Sequence, residues 1–448
     1  MPSRASGKKK RKRKAASAGP ADELLQACKA FDWTEQSQLP MACAVVAQLF
    51  AESDGVDLED GVELALHRRR LHWAKSFGVS RRLLGCIAPD VPLALRLHAV
   101  SALINMHAVG GTETCERAVE EEGAVPTLAS ELERSVASAA PASADEAAQR
   151  RQLIEQLLVL LNDLCHGALG AVAVFTEQCA ATTLPVIVSC VALAFGAEGD
   201  AHESVARAAA TLLHTATDGN GALALQLLAL PGALRLLSTA CAREEARYSR
   251  GDAPPSAADG ELRSARALTC LHYAGAMGAA WEASSAAGAP RGDVLTPIVR
   301  VVVATLGAHR AKGSRVALPP AWPPTALAAA DADGASGADG ADAAAAAAAA
   351  GAAEAAALLP WTRWVESLTL AVELLANLSI MAQEEGARGE EEGAAAAMAC
   401  EEDDDVGRAP GSSAARAQLG AALGAAHVVE ATLGVRRFIY RYILNEFC

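Results

Sequence analysis

Apolar side chains recur along this chain at three- and four-residue intervals, the spacing that lines up one face of an α-helix. Three of these blocks carry the same extra mark. In LRLHAVSALINMHAVGG (95–111) the apolar face closes on Asn105 just before a glycine pair. LIEQLLVLLNDLCHGA closes in the same way on Asn162, and LTLAVELLANLSIMA on Asn377. Counting back from each asparagine, position −5 is Val100, Leu157 or Val372, and position −2 is Leu103, Leu160 or Leu375. A helix that is apolar on one side cannot bury itself alone, so a recurring block of this kind predicts helices stacked on their neighbours.

The same periodicity predicts helices over 39–52 and 80–111, the second as two helices joined across Pro89 and Pro92. It continues over 120–133, where Pro126 sits near a helix start and its missing N–H costs nothing. Further helices are expected over 182–195, 203–221, 228–242, 261–280 and 359–382, and in a final pair ending RRFIYRYILNEFC. VRVVVA (299–304) taken alone suits a strand, but within 293–311 and its helical neighbours it is assigned to a helix.

Residues 1–21 are basic and then rich in small residues, which predicts a disordered tail. The repeat helices occupy 22–311. Residues 312–357 hold proline, glycine and alanine without an apolar period and form a low-complexity insertion. Helical patterning resumes over 358–382, an acidic tract covers 383–410, and terminal helices fill 411–448. The expected architecture is all-α, an α-solenoid of irregular helix–break–helix units.

Alanine makes up roughly a quarter of the sequence, which favours helices because alanine loses no side-chain entropy on entering one. The net charge of −14 hides an asymmetry. RASGKKKRKRK (4–14) holds eight positive charges and no negative one, so the remainder carries −22. An acidic body suits a basic protein partner better than a polyphosphate. The eleven cysteines show no C-x-x-C pair, no apolar core follows the basic start, and no uninterrupted 18-residue apolar run occurs. These features point to a reducing, soluble, intracellular setting without a membrane partner.

Nucleotide and catalytic signatures are absent: there is no G-x-x-x-x-G-K-[ST], no H-E-x-x-H and no G-x-S-x-G. No enzyme activity, cofactor or metal is expected. His98, His107 and His214 lie on or beside apolar helices and read as packing or surface residues, and HRRRLHW (67–73) as a solvated helix face rather than a nucleic-acid contact. Two charged segments stand out. Lys8, Lys9, Lys10, Arg11, Lys12, Arg13 and Lys14 form a cationic run that suits the acidic pockets of a nuclear import receptor, or a nonspecific nucleic-acid-binding tail. Glu384, Glu385, Glu390, Glu391, Glu392, Glu401, Glu402, Asp403, Asp404 and Asp405 crowd one tract, either a solvating spacer or a site for a basic client. Their mutual repulsion keeps such a tract extended, and a basic partner relieves it.

An asparagine near a helix end caps backbone groups in the plainest case. GAVPTLASEL, with AVSALINM and AVELLANLS, also resembles the armadillo/HEAT consensus, in which G-A-x-P-x-L opens the inner helices and A-L-x-N-L closes a unit. That resemblance implies a right-handed superhelix with Asn105, Asn162 and Asn377 lining a concave groove and bonding the backbone of an extended peptide. Thr215 occupies the equivalent slot of the 203–221 unit, so the asparagine ladder is broken there.

In order and spacing, the basic start, the armadillo-like units of 93–133 and 153–190, the long low-complexity loop, ELLANLSIMAQEE and the acidic segment are similar to the HEAT repeat-containing protein 3 (symportin) family. The resemblance covers roughly 80–405. It implies a non-enzymatic adaptor that shuttles between cytoplasm and nucleus and carries basic large-subunit ribosomal proteins of the 5S ribonucleoprotein particle. The acidic tract would wrap the client, the 8–14 run would engage an importin-type receptor, and nucleic acid would be reached only through the client. No Pro-Tyr element follows the run, which leaves the receptor open. A generic armadillo scaffold and a nucleic-acid-binding solenoid are the competing functions.

Overall fold

The computed structural model describes residues 20–33, 35, 37–51, 61–138, 141–196, 199–249, 257–287, 294, 297–302, 304–305, 362–363, 366–367 and 369–377. Among them 86% are helical and none is in a strand, so the all-α expectation holds. The chain divides into two compact units, Met1–Ala124 and Val125–Cys448.

The first unit is built on α1 (Pro20–Ala30), α2 (Leu39–Ala51), α3 (Gly61–Phe77), α4 (Val79–Gly85) and α5 (Leu93–Glu120). α2 buries Ala42, Cys43, Val46, Leu49 and Phe50, a stripe at helical spacing, and lays it against α5. The last carbonyls of a helix have no partner within it. Here one of them, Leu49 O, accepts from the buried Arg70 Nη1 at 2.6 Å, which ties α3 to the end of α2.

α5 departs from the expected stop at the glycine pair. The chain bends at Gly111 (φ 56°, ψ −153°), a conformation open to glycine alone, and then resumes a helix to Glu120. Of the six positions counted back from the asparagines, five become core and Val372 is half-buried. Val100, Leu103, Leu157 and Leu160 are wholly buried and Leu375 nearly so.

The second unit contains α6 (Ala124–Ala137), α7 (Ala144–Gly167), α8 (Ala171–Val174), a π-helical turn (Phe175–Cys179), α9 (Ala180–Leu193), α10 (Glu203–Thr217), α11 (Gly221–Ala229), α12 (Ala233–Ser249) and α13 (Ala257–Ala286). α7 begins with a two-way cap around Ser143. Ser143 Oγ accepts from Glu146 N at 3.1 Å, while Glu146 Oε2 accepts from Ala142 N at 2.9 Å. α10 is the central helix, packed by α7, α9 and α13. Its buried Ala206, Ala209, Ala210 and Ala216 let three neighbours approach closely, a use of the alanine excess that composition alone does not reveal. Residues 297–302 are helical, so VRVVVA sides with its helical neighbours and not with its β-branched content.

Two described helical stretches, Leu93–Glu120 and Ala171–Leu193, reach the length and mean hydropathy (1.2 and 1.5) of a membrane span, although neither is an uninterrupted apolar run. In each, 39% of the apolar window is buried inside the protein.

Candidate functional site

The three asparagines end in three different environments. Asn105 is half-buried on α5, and its Nδ2 donates to Ala47 O of α2 at 2.9 Å. Ala47 lies inside α2, and a carbonyl there keeps a second lone pair after its helical bond. The amide therefore fastens two stacked helices across 58 residues of sequence. Asn162 is half-buried near the end of α7 and hydrogen-bonds the Asp163 carboxyl, while its own Oδ1 is buried without a partner. Asn377 is exposed at the end of the helical residues 369–377. Burial pushes Asp163 up to about 6, against the opposing pull of the Asn162 hydrogen bond and of His166.

Where α10 meets α13, His214 Nδ1 and His272 Nδ1 lie 3.3 Å apart. One of the two rings must carry its proton on Nδ1 and donate to the other. His214 packs so closely on α13 that a Cβ at Gly275 would fall 2.5 Å from its Nε2. Burial drives His272 down to about 3, helped by His214 and by Arg207. His214 is lowered by burial too, with Asp218 and Glu373 pulling the other way. The pair is neutral and forms part of the packing. His107, on α5, is 3% exposed with neither ring nitrogen partnered, and burial, helped by Arg117, lowers it to about 4. His107 is thus a core residue, and His214 a half-buried packing residue at the contact of α10 with α13.

Several polar links escaped the sequence pattern. Asn220 caps α11 by accepting from Leu223 N at 3.2 Å, and its Nδ2 donates to Thr176 Oγ1 of the π-helical turn at 2.8 Å. The N-cap was open to inference, because asparagine precedes an apolar run there. Its partner, 44 residues back, was not. Thr182 and Thr183 both donate to Glu133 Oε1, at 2.7 and 2.5 Å, joining α9 to α6.

The nine described cysteines are buried thiols, and Cys241 Sγ and Cys270 Sγ lie 3.8 Å apart between α12 and α13. Among the described residues, no group of three or more histidine, cysteine, aspartate or glutamate side chains could hold a metal ion. The cationic run Lys8–Lys14 and all ten acidic residues from Glu384 to Asp405 lie outside the described residues, as does the 312–357 insertion. Comparison with protein-family models, curated proteins and solved structures finds no match to the chain.

Proposed function

We propose that this protein is a non-enzymatic adaptor and chaperone for basic large-subunit ribosomal proteins, built on an armadillo/HEAT-type α-solenoid and carrying its own nuclear import signal. The observation that carries the proposal is the segregation of charge. Eight cations sit in residues 4–14, and ten carboxylates sit in 384–405 of a chain that is otherwise acidic. A ribosomal protein outside the ribosome exposes lysines and arginines that normally meet RNA phosphate. A tract of carboxylates offers such a client the same charge pattern in a reversible form. The cationic run then gives the complex a handle for an import receptor.

The helical stacking supports the solenoid part. α10 packs on both α7 and α13, and in the first unit α2 packs on α5, so helices distant in sequence lie side by side as stacked repeat units require. Asn105, at the close of its block, holds such a pair together.

Affinity purification of the tagged full chain, read by mass spectrometry, tests the function. Large-subunit ribosomal proteins should be recovered, and they should be lost when the ten carboxylates are replaced by their amides. Recovery of signalling or cytoskeletal partners unaffected by that change would replace the proposal with a generic scaffold.

A further inference from the structure

Between α1 and α3 the first unit contains a cavity of about 450 Å3, within the size range of small-ligand sites. Lys29 of α1 and Arg68, Arg69 and His72 of α3 line it, together with Trp73 and Phe77, and no carboxylate among the described residues does. This concentration of positive charge stands in a chain of net charge −14. Lys75, on the same helix, does not line the cavity and pairs with Glu113 at 2.9 Å. Sequence periodicity assigns this stretch to a solvated helix face; Arg68, Arg69 and His72 are exposed as that predicts, while Trp73 turns inward beside them.

A further observation points to a ligand with a ring. Trp73 lines the cavity with only 4% of its surface exposed. Phe77 is 50% exposed, its ring centroid 5.9 Å from that of Trp73. An exposed aromatic face beside guanidinium groups is what a nucleobase stacks on while its phosphate meets the cations.

We propose that this cavity binds a nucleotide, with the base on Phe77 and the phosphate at Lys29 and Arg68. The nucleotide is either a free nucleoside monophosphate or one unit of a single-stranded RNA. An acidic peptide would satisfy the cations but leave the aromatic face unused. The site is separate from the acidic tract, and its existence does not depend on the client proposal.

The test uses calorimetric titration of the full chain with residues 8–14 changed to alanine, which removes the cationic run as a competing anion site. The probes are adenosine and uridine monophosphate, a short single-stranded RNA, inorganic phosphate and a glutamate-rich peptide. Nucleotide or RNA should bind, and should be weakened about tenfold or more by Phe77→Ala and by Lys29→Ala with Arg68→Ala. All three residues are exposed, and unchanged melting curves would show that the variants fold. Binding of the monophosphates identifies a free nucleotide, and binding of RNA alone identifies a strand; either supports the proposal. It is overturned if neither binds, if binding ignores both variants, or if the peptide or phosphate binds as tightly as the nucleotide.

Discussion

His107 offers a direct test of how the first unit is packed. It sits in the core of α5, 3% exposed, with both ring nitrogens unpartnered and its pKa lowered to about 4 by burial. An unfolded histidine titrates near 6.5, so as pH falls below that value the unfolded chain takes up a proton that the folded chain refuses. Stability is then lost at about 1.4 kcal/mol per pH unit until the folded pKa is reached. Between pH 7 and pH 5 this amounts to about 2 kcal/mol, a large share of the 5–15 kcal/mol that holds a typical domain together. His107→Leu removes the titration without removing a hydrogen bond, since the ring makes none among the described residues. His272 would be a poorer choice, because its substitution strands His214. Urea unfolding followed by circular dichroism at pH 7, 6 and 5 should show the leucine variant within about 1 kcal/mol of wild type at pH 7 and about 2 kcal/mol more stable at pH 5. Equal acid sensitivity in the two proteins would refute the reasoning, as would a loss above about 3 kcal/mol at pH 7, the size expected of a hidden hydrogen bond.

Asn105→Ala breaks the bond to Ala47 O and should cost about 1 kcal/mol, read as a lower urea midpoint with unchanged slope. Asp163 is raised by burial from 3.8 to about 6, so the folded state holds its proton longer and stability falls as pH rises through that window. Asp163→Asn should therefore stabilise the protein at pH 7 by about 1–2 kcal/mol, allowing for partial solvent screening, and this gain should vanish in melting curves near pH 4. Replacing Lys8–Lys14 with alanine should leave a fluorescent fusion in the cytoplasm, and unchanged nuclear accumulation would place the import signal elsewhere.

Much of the helical framework can be read from apolar spacing, because that spacing reports burial directly. α2 and α6 begin and end within a few residues of their expected limits, and the counted positions Val100, Leu103, Leu157 and Leu160 are core. The misreadings share a cause: they depend on partners far away in sequence. The Gly110–Gly111 pair reads locally as a stop, yet the chain turns through Gly111 and continues to Glu120. Of the three consecutive arginines of α3, Arg68 and Arg69 are exposed as a solvated face predicts, but Arg70 turns inward to Leu49 O, 21 residues earlier. The α8–α9 stretch starts well before residue 182, and nothing local announces its π-helical turn. The asparagine mark was legible as a position, whereas the use made of it differs at each site: Asn105 bonds α2, Asn162 bonds Asp163, and Asn377 faces solvent.

One titration addresses the proposed hold of a basic client by charge on the acidic tract. A large-subunit ribosomal protein is titrated into wild type and into a variant with the ten carboxylates of 384–405 changed to amides, at low salt and near 0.15 M. Exposed charges are screened beyond about 8–10 Å at that ionic strength, so wild-type affinity should fall as salt rises. The variant should bind more weakly at low salt, vary less with salt, and melt at the same temperature. Equal affinity of the two proteins at low salt would reduce the tract to a spacer and contradict the account.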